Sequence, residues 1–198
     1  SLAKGFRQGG GTRVEGVRVT DVLEQHGQVA AVVTDHGTVE TQFVVNCAGM
    51  WARQFGELAG VSLPLQAAEH YYLITEDMPG MTPTTPVLED PDRYAYFREE
   101  VGGMMIGLFE PEAAPWNLDR IPDDFSFGEI EPDWERMIPF LESAYERVPE
   151  AKNLGIRKFF CGPGSFTPDL APLVGEAPEL RNYFVACGMN SLGILSGG

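Results

Sequence analysis

One apolar segment restricts the fold of this chain more than any other feature: residues 43 to 49 read Phe-Val-Val-Asn-Cys-Ala-Gly. A short apolar run of this kind is typical of a buried strand. It ends at Ala48 and Gly49, whose small side chains leave the backbone open to close approach by a flat or phosphorylated group. Two turn signals, His26-Gly27 and His36-Gly37, precede it at hairpin spacing. The sequence therefore predicts short antiparallel strands that lead into one buried strand with accessible backbone at its end.

Hydrophobic periodicity extends the prediction along the chain. Helices are predicted over Ser1 to Gln8, Trp51 to Ala59 and Trp134 to Val148, where Pro139 either kinks the last helix or marks its first turn. The predicted strands are Thr12 to Val19, Val29 to Thr34, Thr38 to Asn46, His70 to Thr75, Tyr94 to Glu99, Met104 to Phe109, Ile156 to Cys161 and Tyr183 to Ala186. Asp21 to Glu24 either continues the first of these strands or begins another.

Charge and cysteine content exclude several classes of partner. The formal net charge of −15 argues against nucleic acid or an anionic membrane as a partner. No stretch reaches the roughly 18 apolar residues of a membrane-spanning helix. The three cysteines, Cys47, Cys161 and Cys187, lack metal-ligand spacing. They are expected to be free, buried thiols in a reducing compartment, and no metal site is expected.

A second glycine-rich segment follows the last predicted strand. Gly188, Asn190, Ser191 and Gly193 lead into the start of a small-residue helix. Free backbone N–H groups at such a start stabilise negative charge. The alternative is an ordinary strand–turn–helix junction that binds nothing.

Five runs together carry a family resemblance. They are Val-Val-Asn-Cys-Ala-Gly-Met-Trp-Ala (44 to 52), His-Tyr-Tyr-Leu-Ile-Thr (70 to 75), Tyr-Phe-Arg-Glu-Glu-Val-Gly-Gly-Met-Met-Ile-Gly (96 to 107), Gly-Pro-Gly-Ser-Phe-Thr-Pro-Asp (162 to 169) and Gly-Met-Asn-Ser-Leu-Gly-Ile (188 to 194). In this order and spacing, the chain resembles the D-amino-acid-oxidase-like FAD-dependent oxidoreductases, in the branch with dimethylglycine and sarcosine dehydrogenases.

The resemblance implies an α+β fold with FAD as cofactor. Residues 1 to 62 would be the latter part of an FAD-binding domain, and residues 63 to 160 a substrate domain with a mainly antiparallel sheet flanked by helices. Residues 161 to 198 would return to the FAD-binding domain. No Gly-x-Gly-x-x-Gly motif follows an early strand, so the chain is interpreted as an internal fragment that is inactive alone. The implied cofactor contacts are Val19 near the adenine, Ala48 and Gly49 beside the dinucleotide, and Gly188, Asn190, Ser191 and Gly193 at the flavin.

Two positions depart from related oxidases. Monomeric sarcosine oxidases have a lysine that helps hold the substrate carboxylate, and Leu195 stands at the matching position here. Those oxidases attach FAD through a cysteine, whereas the aligned residue here is Gly162, one position after Cys161. A shift of one residue turns a strand side chain to the other face, so Cys161 is interpreted as a buried thiol. The dehydrogenases use a histidine near the start of the protein, outside these residues.

The substrate contacts are expected on adjacent strands of the substrate domain. Alternation places Tyr94, Tyr96 and Arg98 on one face, and one of Tyr71 and Tyr72 must face the sheet interior. An amine that carries a carboxylate needs an aromatic wall and one cation, and Tyr72 and Arg98 are the predicted contacts. An ion pair of Arg98 with Glu99 or Glu100 is the alternative. No catalytic residue is assigned.

The implied function is oxidation of an N-methylated or secondary amino acid, such as dimethylglycine or sarcosine, by hydride transfer to flavin. Oxidase and dehydrogenase activity stay open, and the electron acceptor is unidentified. A bacterial cytoplasm and a mitochondrial matrix both fit. The alternative function is that of a regulatory subunit which keeps the fold without catalysis.

Overall fold

The computed structural model describes residues 2–117 and 119–197. The chain folds into two units, each made of two separate segments. The first unit comprises Ser1–Pro64 and Pro172–Cys187, and the second comprises Leu65–Ala171 and Gly188–Gly198. Both units combine helices with small sheets, which confirms the expected α+β fold.

The first unit opens with a helix and a three-stranded antiparallel sheet. Helix α1 spans Leu2–Gln8, and strands β1 (Val19–Gln25), β2 (Gln28–Thr34) and β3 (Gly37–Glu40) pair in the order β1-β2-β3. The β1–β2 turn has positive φ at both His26 (56°) and Gly27 (74°). This backbone twist matches that of paired strands, which confirms the predicted hairpin.

Two of the predicted strands in this unit are wrong. The predicted strand Thr12 to Val19 is irregular until Val19, because Gly16 adopts a left-handed φ of 69° and Val14 is left exposed. The predicted strand Thr38 to Asn46 is two strands, β3 and β4 (Val44–Asn46). They join different sheets, so the turn between them ends the hairpin series.

Strand β4 belongs to a sheet completed from the far end of the chain. It pairs in parallel with β11 (Tyr183–Cys187), which pairs antiparallel with β10 (Leu173–Glu176). A 3-10 turn over Gly49–Trp51 and helix α2 (Ala52–Leu58) follow β4. The apolar run ends at a turn, as its sequence predicts, but the strand is only half buried, because Val44 and Asn46 face inward while Val45 is exposed.

The second unit is built on a five-stranded antiparallel sheet with the order β6-β7-β8-β5-β9. Its strands are β5 (Gln66–Thr75), β6 (Leu88–Asp90), β7 (Ala95–Glu100), β8 (Gly103–Leu108) and β9 (Ile156–Phe166), and its helices are α3 (Trp134–Arg147) and α4 (Gly193–Ser196). Asp133 caps α3, since its carboxylate accepts from the backbone N–H groups of Glu135 (2.9 Å) and Arg136 (3.2 Å). The helix runs through Pro139, which therefore does not mark its first turn.

One face of this sheet forms the core of the unit. Its buried side chains are Tyr71, Leu73, Ala95, Phe97, Met104, Ile106, Leu108 and Cys161 from the strands, with Met137, Leu141 and Ala144 from α3 and Ala151 after it. Tyr71 is fully buried, so it is the tyrosine of the Tyr71-Tyr72 pair that faces the interior. Tyr72 lies on the opposite face.

Two strand boundaries differ from the prediction. Strand β9 continues past Cys161 to Phe166, because its whole length pairs with β5, from Thr75 to Gln66. Tyr94 lies outside β7, in a left-handed conformation with a φ of 55°. It therefore does not share the alternation of Tyr96 and Arg98.

Candidate functional site

The face of the sheet opposite the core carries the predicted substrate residues, and register arranges them in rows across the strands. One row runs Arg98, Met105, Ile74 and Lys158, the next runs Tyr96, Gly107, Tyr72 and Phe160, and a third contains His70 and Gly162. Phe109, just past β8, packs beside the third row. We call the group His70, Tyr72, Tyr96, Phe109 and Phe160 the aromatic face.

Ring contacts connect members of the aromatic face. Tyr72 and Phe160 stack with ring centroids 4.6 Å apart and planes at 21°. His70 lies 4.7 Å from Phe109, and Tyr96 lies 5.7 Å from the same ring. Burial lowers the pKa of His70, so the imidazole is neutral at neutral pH. Burial also raises the pKa of Tyr96, which keeps its phenol protonated.

Two cations border the aromatic face. Arg98 forms an ion pair with Glu100 (Nη2 to Oε2, 2.5 Å), and the Arg98 side chain is 49% exposed. This pair is the alternative that the sequence offered for Arg98. Lys158 pairs with Glu129 at 2.7 Å, and its Nζ lies 5.2 Å from the Phe160 ring centroid. Sequence reasoning overlooked Lys158, although its position two residues before Phe160 places both on one face.

The second glycine-rich segment is a tight turn held by a buried asparagine. Gly188, Asn190 and Ser191 have φ values of 63°, 50° and 65°. The Asn190 side chain donates to the Gly188 carbonyl (2.8 Å) and to Thr167 Oγ1 (3.1 Å), and its Oδ1 accepts from the Thr167 backbone N–H (2.9 Å). Gly193 begins α4, and Ser191 is exposed. Asn190 therefore shapes the turn from inside, while the Ser191 side chain faces solvent.

In the first unit, the Asn46 side chain holds the turn after β4 through hydrogen bonds. It is fully buried, and its Oδ1 accepts from the Ala48 N–H at 3.1 Å. Its Nδ2 donates to the Ala52 carbonyl (2.9 Å) and to the Tyr183 hydroxyl (3.0 Å). Burial raises the pKa of that tyrosine to about 12. Sequence reasoning noted Asn46 without assigning it a role; its signal was a polar residue inside an apolar strand.

Two further predicted cofactor residues lie in this unit. Gly49 has a φ of 58°, and a Cβ built there would have no heavy atom within 4 Å, so its backbone is accessible from that side. Val19 is half-buried at the start of β1, opposite Thr34. Their roles stay predictions.

The cysteines only partly follow the prediction. All three are free, and Cys161 and Cys187 are buried as expected, but Cys47 is exposed. The expectation that Cys47 is buried was wrong because β4 alternates, placing Val44 and Asn46 inside and Val45 outside. Cys161 lies on the core face, where burial raises the pKa of its thiol to about 11, while the neighbouring Gly162 lies on the opposite face.

A buried carboxyl lies just past the end of β8. The Glu110 side chain is 6% exposed, and its Oε1 lies 3.9 Å from Nε of Arg136. Within the part of the chain that the structure describes, neither atom has a hydrogen-bond partner. Burial raises the pKa of Glu110 to about 7, with Glu69 adding to the shift and Arg136 opposing it.

The remaining candidates are structural or exposed. Asp169 caps a turn by accepting from the Ala171 N–H at 3.1 Å, and His26 and His36, which lie in hairpin turns, are exposed. Leu195 is exposed in α4. Among residues 2–117 and 119–197, no group of three or more His, Cys, Asp or Glu side chains is placed to hold a metal ion. No helix within those residues is long and apolar enough to cross a bilayer.

Comparison with curated proteins finds relatives that match along the whole chain. Mouse mitochondrial sarcosine dehydrogenase is 40% identical over 198 residues, covering 100% of this chain and 21% of the relative. Mouse mitochondrial dimethylglycine dehydrogenase is 32% identical, and the match covers 100% of this chain and 24% of the relative. The mouse mitochondrial pyruvate dehydrogenase phosphatase regulatory subunit is 37% identical, and the match covers 100% of this chain and 23% of the relative. The chain thus spans about a fifth to a quarter of the length of these proteins.

Solved structures share the fold. L-proline dehydrogenase from P. horikoshii superposes with a TM-score of 0.78 at 23% identity, over 98% of this chain and 50% of that one. The DAO family, described as FAD dependent oxidoreductase, matches residues 1–198. The resemblance read from the five sequence runs is thereby confirmed, and the cofactor it implies is FAD. The chain belongs to the DAO family of FAD-dependent oxidoreductases.

Proposed function

We propose that this chain is part of an FAD-dependent enzyme that oxidises an N-methylated amino acid of the sarcosine or dimethylglycine type. The observation that carries the proposal is the aromatic face, where a neutral imidazole and four stacked or tilted rings share one surface with two cations. An aromatic surface attracts an alkylated ammonium group, and a nearby cation attracts its carboxylate. The names of the two dehydrogenase relatives support the substrate class.

The turn residues fit FAD as the cofactor. Gly188 and Gly49 have left-handed φ values that favour glycine. Gly49 is exposed, so its bare backbone can approach a planar or anionic group, whereas Gly188 is buried and shapes the turn that exposes Ser191. Asn190 holds the first of these turns, with Ser191 and Gly193 completing it. Ala48, Gly49 and Val19 are proposed to contact the dinucleotide. FAD, when bound, would supply the acceptor for the hydride that leaves the carbon beside the substrate nitrogen.

The domain roles follow from the same proposal. Residues 1 to 62 would be the latter part of the FAD-binding domain, residues 63 to 160 the substrate domain, and residues 161 to 198 the return to the FAD-binding domain. A bacterial cytoplasm or a mitochondrial matrix would be the location.

The substrate contacts divide between rings and charges. Tyr72, stacked on Phe160, is proposed to support the alkylated nitrogen. Arg98 would bind the carboxylate, for which it must exchange its ion pair with Glu100; because the arginine is half exposed, that pair is worth little. His70 is neutral and can therefore accept a hydrogen bond from a protonated amine.

The test uses the full-length protein that contains this chain. Anaerobic addition of sarcosine or dimethylglycine is expected to bleach the visible flavin band, and Tyr72→Ala is expected to raise KM about tenfold. Tyr94→Ala is the matched control, since Tyr94 lies outside β7, and it should leave KM unchanged. A flavin band that stays with both amines would contradict the substrate class.

The second candidate is a regulatory subunit with the same fold. It is favoured by the 37% identity to the pyruvate dehydrogenase phosphatase regulatory subunit and by Leu195 in place of a carboxylate-binding lysine. A full-length protein that purifies without flavin and does not respond to either amine would support this candidate over the enzyme.

A further inference from the structure

Two rings of the aromatic face lie directly over glycines. A Cβ built on Gly107 would lie 1.8 Å from Cζ of Tyr96 and 2.2 Å from its Oη. A Cβ built on Gly162 would lie 2.7 Å from Cε1 of Phe160. Carbon atoms do not approach so closely, so a side chain at either glycine would displace the ring above it.

The contact between Gly107 and Tyr96 crosses from one strand to another. Tyr96 in β7 is paired with Gly107 in β8, and Gly107 is paired with Tyr72 in β5. The atoms nearest Gly107 belong to the phenol end of Tyr96, so the ring extends from its own strand across β8 toward Tyr72. Phe160, by contrast, lies over a glycine two positions along its own strand. Of these two arrangements, the first is the one that depends on a glycine in a neighbouring strand.

A ring that lies flat and a ring that stands upright present different surfaces. A flat ring occupies one ring thickness above the sheet and turns its π face outward. An upright ring occupies its full length and turns an edge toward the same space. The negative π face attracts an alkylated ammonium group, whereas the positive ring edge repels it.

We propose that Gly107 is a positioning residue for the substrate: its missing side chain lets Tyr96 lie flat across β8 and present its π face to the alkylated ammonium group. The inference rests on the proposed function and deepens it, because it assigns the floor of the substrate site to a glycine that touches no substrate. Tyr96 would then contact the nitrogen substituents, next to Tyr72 in the same row.

The first arm of the test is kinetic. Gly107→Ala is expected to lower kcat/KM for sarcosine or dimethylglycine about 100-fold, mainly through KM, since the ring is displaced rather than the reacting groups. Ile106→Val is the matched control in the same strand, because Ile106 is fully buried on the core face. It should lower stability and leave KM within about twofold of the wild type. If the KM of Gly107→Ala also stays within about twofold of the wild-type KM, the inference is overturned.

The second arm does not depend on activity. Gly107→Ala should lower the melting temperature by several degrees in the wild type and have little effect in a Tyr96→Ala background, where no ring remains to be displaced. Equal losses in both backgrounds would show that the ring does not rest on Gly107 and would overturn the inference. A third outcome is a melting temperature that falls only when Tyr96 is present, in a wild-type protein that oxidises neither amine. That outcome would leave the ring contact in place, and it would overturn both its role in substrate binding and the proposed function.

Discussion

Replacement of Asn190 tests whether the second glycine-rich turn is held from inside. Asn190→Ala removes three hydrogen bonds, to the Gly188 carbonyl and to the N–H and hydroxyl of Thr167. The Thr167 N–H is buried and would lose its acceptor, at a cost of about 1–3 kcal/mol. The Gly188 carbonyl loses a donor, and alanine at a φ of 50° costs about 1 kcal/mol more than asparagine. These two costs add to about 2–4 kcal/mol of local stability.

Hydrogen exchange at the Thr167 amide measures this loss directly. Local opening that is easier by about 2–4 kcal/mol corresponds to exchange about 30- to 1,000-fold faster. Asn190→Gly is the matched control, because it removes the same bonds but tolerates the left-handed φ, so its effect should be smaller by about 1 kcal/mol. Exchange at Thr167 in Asn190→Ala within about threefold of the wild type would refute this account of the turn.

Three further predictions concern buried polar groups. Because the folded-state pKa of Glu110, about 7, lies above its ordinary 4.5, the contribution of this group to folding stability is highest below pH 4.5 and falls by up to about 3 kcal/mol between pH 4.5 and 7. Urea unfolding of wild type and Glu110→Gln at about pH 5 and about pH 8 measures it: the wild type should lose stability relative to the variant at the higher pH, and an equal change in both would contradict the raised pKa. Maleimide should label Cys47 in the native protein and Cys161 only after unfolding, and native labelling of both would contradict the burial pattern. Tyr183→Phe removes one acceptor of Asn46 and should cost about 1 kcal/mol in urea unfolding; an unchanged midpoint would mean that this bond is not formed.

Local patterns in the sequence were sufficient for much of the second unit. Strand-forming residues over His70 to Thr75 and the Gly102-Gly103 turn before Met104 to Phe109 located two strands of its sheet, and the helical period of about 3.6 residues located α3. The choice between Tyr71 and Tyr72 could not be made locally, since both residues suit a strand. It depends on which face α3 covers, and that is a property of the folded unit.

The errors arose where the structure depends on partners distant in the chain. Nothing local separates β3 from β4, because only pairing with β11 takes β4 out of the hairpin series. Strand β9 runs to Phe166 through two glycines and a proline only because β5 pairs with it along its length. In the candidate site, Asn46 and Asn190 hold turns through hydrogen bonds that the sequence does not reveal.

The parallel pairing of β4 with β11 has a consequence for how the protein is made. Asn46 and Tyr183, which hydrogen-bond across these strands, are 137 positions apart. During synthesis, the first unit therefore cannot close its second sheet until nearly the whole of the intervening unit has left the ribosome. Contacts of such sequence separation are slow to form, and until β11 arrives β4 is an unpaired strand edge, a feature that favours aggregation. The order of the strands thus leaves the edge of β4 without its partner for most of the time that the chain takes to be made.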